Sequence, residues 1–135
     1  MKLLAIMLAG ALGTAARYGV NVAVAAWLAS SVSTDNAVRP FPLATLCVNV
    51  TGTLLLAIVT TLFLQKAVSA EWRLIVGTGF LGAFTTFSTF ALESEELLAH
   101  ADWKNAALYI GGNLIGGIIA IVAGRWLALR LLNAW

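Results

Sequence analysis

The stretch Gly77-Thr78-Gly79-Phe80-Leu81-Gly82-Ala83-Phe84-Thr85-Thr86-Phe87-Ser88-Thr89-Phe90 sits inside an apolar run that extends from about Leu74 to Leu92. Three glycines come first, and four hydroxyl side chains, Thr85, Thr86, Ser88 and Thr89, follow. A helix that only faced lipid has no use for either. Glycine in a helix interior costs roughly 0.5–1 kcal/mol relative to alanine. A break at this depth frees carbonyls that must be satisfied by a neighbouring group, a water or an ion. For Gly77 or Gly79 alone the plainer reading is close helix packing, with hydroxyls bonded back to their own helix. The dense cluster shifts the balance to a transmembrane helix broken near its middle, and broken helices at the midplane favour ion coordination.

Working outward, three further charge-poor runs appear. Crossing about 30 Å of hydrocarbon takes roughly 20 apolar residues in a helix, and four runs reach that length: about 3–28, 42–64, 74–98 and 105–131. The first is interrupted only by Arg17 and ends in Ser30, Ser31, Ser33, Asp35 and Asn36. It is too long for a signal peptide and is expected to be a retained helix. Pro40 and Pro42 precede the second, where proline suits a helix start. Glu71 and Arg73 precede the third, whose far end carries Glu93, Glu95 and Glu96, while Arg125 and Arg130 mark the exit of the fourth. Trp72, Trp103, Trp126 and Trp135 fall near these ends, at headgroup depth.

Composition agrees with an all-α integral membrane protein, one four-helix domain over 1–135. Of the 135 residues 61% are hydrophobic and 10% charged, a balance that leaves a small soluble domain with apolar patches facing water. The net charge of +2 is spread over single residues, which excludes the basic patch of a nucleic-acid binder. Cys47 is alone and can form neither an intrachain disulfide nor a metal cluster. His100 has no ligand partner near it in sequence, and the short connections leave no room for a soluble catalytic domain, so no enzyme is expected. Four spans place both termini on one side with Lys2, Lys66, Arg73, Arg125 and Arg130, against Arg39 and Lys104 opposite. That bias places the termini in the cytoplasm.

Phe87 and Phe90 are three apart and share a helical face, with Ser88 and Thr89 beside them. The edge of an aromatic ring carries partial positive charge, so such a pair can serve an anion without the grip of a full cation. Most phenylalanines are core packing, and that reading stands beside the functional one. Asn49 presents an amide on the second span, three residues before Gly52, with Thr45 and Thr53 four residues to either side. Taken alone it reads as interhelical glue. Tyr109, Asn113 and Gly116 share a face of the fourth span, and Gly112 with Gly116 forms a small-residue packing pattern. Packing explains the glycines but not the tyrosine and asparagine, which must turn away from lipid. Arg17, on the face of Gly10 and Gly13, is either a functional cation or a snorkelling one. Glu93 follows the phenylalanine face by three residues and could mark a pore mouth.

These residues resemble the CrcB/Fluc fluoride channel family along essentially the whole chain. The segment Gly79 to Phe90 is similar to that family's third-helix signature, with Ala83 where a second glycine is frequent. Gly10-Ala11-Leu12-Gly13, Arg17-Tyr18, Val48-Asn49, Gly52, Tyr109 and Asn113 add to it in order. The resemblance implies an antiparallel dimer in the bacterial cytoplasmic (inner) membrane that exports fluoride passively and relieves its toxicity. It also implies a structural sodium ion at the dimer centre, held by the carbonyls of Gly82 and Thr85. Phe87 and Phe90 would then form an aromatic box, with Asn49, Ser88, Thr89, Tyr109 and Asn113 lining the fluoride pathway, and Arg17 and Glu93 in structural or vestibule roles. Insertion in both orientations calls for nearly balanced flanking charge, whereas five cations face two. A paired second chain therefore stands beside a homodimer. A non-conducting membrane assembly subunit is the alternative function. A small proton-coupled exporter has the right size, but conventionally needs a carboxylate in the first span, where this chain has Arg17.

Overall fold

In the computed structural model, which describes residues 1–31 and 41–133, each of the four apolar runs is a helix long enough to cross a bilayer. In chain order they are α1 (Lys2–Ser31), α2 (Leu43–Leu64), α3 (residues 70–84), α4 (Phe87–Ala99) and α5 (Trp103–Asn133). α3 and α4 together make the third span. The all-helical class with an interrupted third span is thus as expected from the sequence. Ser33, Asp35, Asn36, Arg39, Pro40 and Trp135, which entered the reading of helix ends and flanking charge, lie outside the described residues.

The starts of the third and fourth spans move outward from the expected positions because polar side chains cap them. Ser69 Oγ accepts from the Trp72 N–H at 3.1 Å, so the third span begins at Ala70 and not Leu74. Asp102 does the same for the fourth, accepting from the Asn105 N–H at 3.3 Å through Oδ1. Two helices close with the left-handed residue of a Schellman turn, supplied here by Lys66 (φ 60°) and Ala101 (φ 55°). The Ala67 N–H reaches Leu62 O at 2.9 Å and the Asp102 N–H reaches Leu97 O at 3.0 Å, capping carbonyls that would otherwise be orphaned.

Within α3, residues Leu74–Leu81 run as a π-helix, and the Gly82 N–H reaches back to Gly77 O. Such wide turns are rare and tend to mark functional sites. The last helical bond runs from the Thr85 N–H to Leu81 O at 3.1 Å. Thr85 (ψ 157°) and Thr86 (φ −147°, ψ 114°) are then extended, and the helix restarts at Phe87. The break therefore lies one residue pair beyond the glycines, whose work is in the wide turn and in close helix contact.

Packing follows the small residues. α1 lies against α3, α2 mainly against α5, and α4 against α5. A Cβ on Gly13 would collide with the carbonyl oxygen of Phe80, and one on Gly79 would sit 2.9 Å from both Ala9 Cβ and Ile6 O. On the other side of the bundle a Cβ on Gly124 would lie 2.5 Å from Leu54 O. Lipid supplies no hydrophobic drive between helices, so backbone approach of this kind is what holds them. Gly19, on the same helix as Gly13, has nothing near it. Gly13→Ala is therefore expected to lower the thermal stability of the purified protein, at an overpacking cost of about 1–3 kcal/mol. Gly19→Ala should leave it unchanged or raise it by up to ~1 kcal/mol, and equal effects in a thermal unfolding series would contradict this packing.

Candidate functional site

The break leaves Thr86 with a backbone amide that no helix ladder satisfies, while its carbonyl, at the N-cap of α4, stands where that helix's first bond is accepted. Asn49, from α2, takes both. Its Oδ1 accepts from the Thr86 N–H at 2.9 Å, and its Nδ2 donates to Thr86 O at 3.2 Å. One side chain thus pairs the two backbone groups as a neighbouring strand would. The second hydrogen of the amide goes to Asn113 Oδ1 on α5 at 2.9 Å, and Asn113 Nδ2 donates to Tyr109 O at 3.0 Å. The amide orientation follows from the chemistry, because the Thr86 N–H can only donate. Gly52, one turn along α2 from Asn49, makes the approach possible. A Cβ there would collide with the Thr85 methyl and come within 3.0 Å of the Phe84 ring.

Two carbonyls lose their usual donors at the same point. The Thr86 N–H would continue the helical ladder to Gly82 O, yet it goes to Asn49. The Thr89 N–H would do the same for Thr85 O, yet it goes to Thr86 Oγ1 at 3.3 Å. Gly82 and Thr85 thus present carbonyls at the C-terminal end of α3, where the helix dipole is negative. On the far side of the break, Thr86 caps α4, and its hydroxyl also meets Thr89 Oγ1 at 2.9 Å and Ser88 Oγ at 3.4 Å. The N-terminal amides of α4 form the positive end of its dipole. A carbonyl end and an amide end therefore meet within a few residues at membrane depth.

Beside the break lies an aromatic and carboxylate cluster. Tyr109, fully buried, donates to Glu93 Oε2 at 2.5 Å, and Thr45 Oγ1 donates to Glu93 Oε1 at 3.1 Å. The Tyr109 ring meets Phe90 at 5.5 Å and, edge-on, Phe41 at 5.8 Å between centroids. Phe90 in turn meets Phe87 at 5.7 Å. The two phenylalanines do touch as their spacing implied, but they differ in exposure. Phe90 is 9% exposed, while Phe87 is 77% exposed and leaves its outer face uncovered on a single chain. Ser88 is exposed and Thr89 half-buried.

The structure thus brings Asn49, Thr89, Phe90, Tyr109, Asn113 and Glu93 to one side of the break, with Phe87 and Ser88 at its rim. Glu93 sits between Thr45 and Tyr109 and is not a freely exposed mouth residue. Arg17 is half-buried on α1, and among the described residues no hydrogen bond or ion pair joins it to this cluster. From sequence Thr86 is only one of four hydroxyls, and Phe41 is not marked at all. Nothing in the spacing marks Thr86 as the residue Asn49 seizes, and Phe41 gains its place only through the buried ring it meets. Among the described residues no group of three or more His, Cys, Asp or Glu could hold a metal ion.

With this geometry in hand, the comparisons with known proteins are specific. Residues 4–125 match the family model described as CrcB-like protein, Camphor Resistance (CrcB). The chain is 40% identical over 129 residues to the fluoride-specific ion channel FluC of Saccharophagus degradans, covering 95% of this chain and 90% of that one. It is 39% identical over 132 residues to the fluoride-specific ion channel FluC of Acidobacterium capsulatum, covering 97% and 98%. With the fluoride-specific ion channel FluC 2 of Geobacillus kaustophilus it shares 39% over 125 residues, covering 92% and 90%.

The pairing at Thr86 has a measurable consequence. Asn49→Leu strands the amide of Thr86 and removes a second donor from its carbonyl, so a loss of about 1–3 kcal/mol is expected. Asn113→Leu leaves both of those bonds intact and should cost less. Thermal unfolding of the two purified variants in one detergent decides it, and a larger loss for Asn113→Leu would mean that the break is held elsewhere.

Proposed function

The chain belongs to the CrcB-like family, and on that premise we propose that it is a fluoride channel, carrying fluoride passively across the bacterial membrane and relieving fluoride toxicity by export. It is not an enzyme. Fluoride is small and strongly hydrated, so a pathway must replace its water with many weak donors and still release it. The observation that carries the reading is the broken third span, stitched by Asn49 and flanked by hydroxyls, amides and ring edges.

The proposed passage is stepwise and single file. The rim offers Ser88 and Thr89 hydroxyls, the N-terminal amides of α4, and the edges of Phe87 and Phe90. Further in lie Asn49 and Asn113. Both hydrogens of the Asn49 amide are already committed, so fluoride binds there by taking the place of Asn113 Oδ1 on Asn49 Nδ2. Return of that bond expels the ion. Exchange of one acceptor for another keeps the site shallow, as conduction requires. Tyr109 and Thr45 hold the Glu93 carboxylate, restraining a negative charge beside an anion path.

Two further parts of the reading concern assembly. An antiparallel second copy is proposed to cover Phe87, whose ring stands 77% exposed beside a hydroxyl cluster at membrane depth. A structural sodium ion is proposed between the two copies. The carbonyls of Gly82 and Thr85 suit it, since their usual donors have gone to Asn49 and Thr86 and they lie at the negative end of a helix dipole. Sodium would supply fixed positive charge at the centre and hold the two breaks together.

Purified protein in liposomes loaded with fluoride is expected to release it when a potassium ionophore shunts the charge, while chloride-loaded liposomes stay silent. Phe87→Ile should cut fluoride efflux severely without altering elution on size exclusion. Silence from well-folded wild-type protein would favour a non-conducting assembly subunit, and equal chloride efflux would remove the selectivity.

A further inference from the structure

Between α2 and α5, beyond the Asn49–Asn113 pair, lies an open groove with a cavity volume of about 400 Å3. Its polar lining consists of Thr53, Thr60 and Thr61 together with Gln65 and Arg125, set in walls that are otherwise apolar. The groove is in register with the pair. On α2, Thr53 is four residues on from Asn49, and the lining continues through Ala57 and Thr60 to Gln65. On α5, Ile121, Arg125 and Leu129 repeat every four residues on the line that passes through Asn113 and Gly117. Residues four apart lie one above the other on a helix, so each wall of the groove is the continuation of one asparagine's face.

Length fits as well. Asn113 and Arg125 are twelve residues apart, or about 18 Å at ~1.5 Å per residue. That is close to one leaflet of a hydrocarbon core about 30 Å thick. The groove's lining begins at Thr53, one turn beyond Asn49, and continues to Gln65 and Arg125 near the headgroup region. Trp126, next to Arg125 and 57% exposed, agrees with that depth.

The polar groups along it are available. Thr61 bonds back to Ala57 O at 2.8 Å, whereas among the described residues Thr53, Thr60, Gln65 and Arg125 have no side-chain hydrogen bond within the chain. Of the neighbouring cations at this end, Arg73 lies over the Phe63 ring at 5.2 Å and Arg130 over the Trp126 ring at 5.3 Å, while exposed Lys66, next to Gln65, stands outside the lining. Arg125 is exposed and, among the described residues, the one charged side chain that lines the groove. Among the described residues no carboxylate lines it; Glu93, Glu95 and Glu96 belong to the opposite end of the bundle, and Glu71, at this end, stands outside the lining.

We propose that this groove is the aqueous access path by which fluoride reaches the Asn49–Asn113 pair from the Gln65 end of the bundle, with Arg125 collecting the anion at its mouth. The proposal rests on the fluoride-channel reading and adds to it a route and a residue. A cavity of this size holds on the order of ten waters at ~30 Å3 each, so the ion keeps part of its hydration until it meets the asparagines. Low-dielectric walls focus the field of a single cation along the groove and raise the local anion concentration. Because Arg125 is exposed and lies a leaflet away from the pair, it attracts fluoride without trapping it.

Fluoride efflux from liposomes at low and high ionic strength tests this. In an antiparallel pair the two mouths open on opposite faces, so Arg125→Gln should slow efflux by about twofold or more at low salt. The deficit should shrink at high salt, as the Debye length falls from about 30 Å at 0.01 M to about 3 Å at 1 M. Arg125→Lys should restore most of the rate, and exclusion of chloride should be untouched in both. Ile121→Trp, which fills the groove, should block efflux at every salt concentration while thermal stability is retained. Wild-type rates and wild-type salt dependence in Arg125→Gln would overturn the proposal, whether or not Ile121→Trp folds, and would leave the groove as a seat for a lipid chain. A silent wild-type protein is a different result, since it removes the channel reading itself.

Discussion

The two-point pairing of Asn49 with the backbone of Thr86 is the interaction on which the rest depends. A helix cannot stop inside a bilayer unless something takes over its stranded backbone groups, because lipid offers them no partner. Here a single primary amide from α2 takes the N–H and the C=O of the same residue. Everything nearby follows from that substitution. The ladder to Gly82 O is abandoned, Thr86 is left extended, its hydroxyl caps α4, and a carbonyl end faces an amide end at membrane depth. The remaining Asn49 hydrogen carries the connection on to α5 through Asn113.

Glycine makes that pairing reachable. Gly52 lies one turn along α2 from Asn49, and a side chain there would strike Thr85 and the Phe84 ring. Without it, α2 could not come close enough for so short a side chain to span the gap. Gly13 and Gly79 bring α1 onto α3 in the same manner, and Gly124 brings α5 onto α2. The glycines of the third span serve the close packing that is one of the two readings of their composition, and the wide turn beside it. They sit in the wide π turn and the helix crossing, not in the extended pair that interrupts the helix.

That difference shows where sequence is informative in this chain. Spans were legible because charge is excluded from hydrocarbon, so a run such as 43–64 announces itself. Their starts were misplaced by up to four residues because Ser69 and Asp102 cap through local geometry that hydropathy does not see. The third span was recognisably broken, yet the break itself depends on a partner 37 residues away in sequence. Phe87 and Phe90 share a face by spacing, but one begins a helix and the other packs on Tyr109, so their exposures part. The carboxylate of Glu93, gripped by residues 48 and 16 positions distant, was beyond local pattern altogether. Long-range partners of this kind are set by tertiary register, which single-sequence periodicity cannot supply.

The same register explains why the two ends of the bundle are chemically unlike. Toward the Glu93 end, the proposed anion path is bordered by a carboxylate whose two oxygens are each engaged by a hydroxyl. Toward the Arg125 end the proposed path is bordered by a cation, threonine hydroxyls and, among the described residues, no acid. A single chain is therefore polar along its pathway, with attraction at one mouth and restrained repulsion at the other. For a conductor that works in both directions this asymmetry is a handicap, because the two faces would feed the path unequally. Pairing with an inverted copy cancels it, since each face of the membrane then carries one mouth of each kind. The charge distribution along α2, α4 and α5 is thus an argument for antiparallel assembly that is independent of the exposed ring of Phe87.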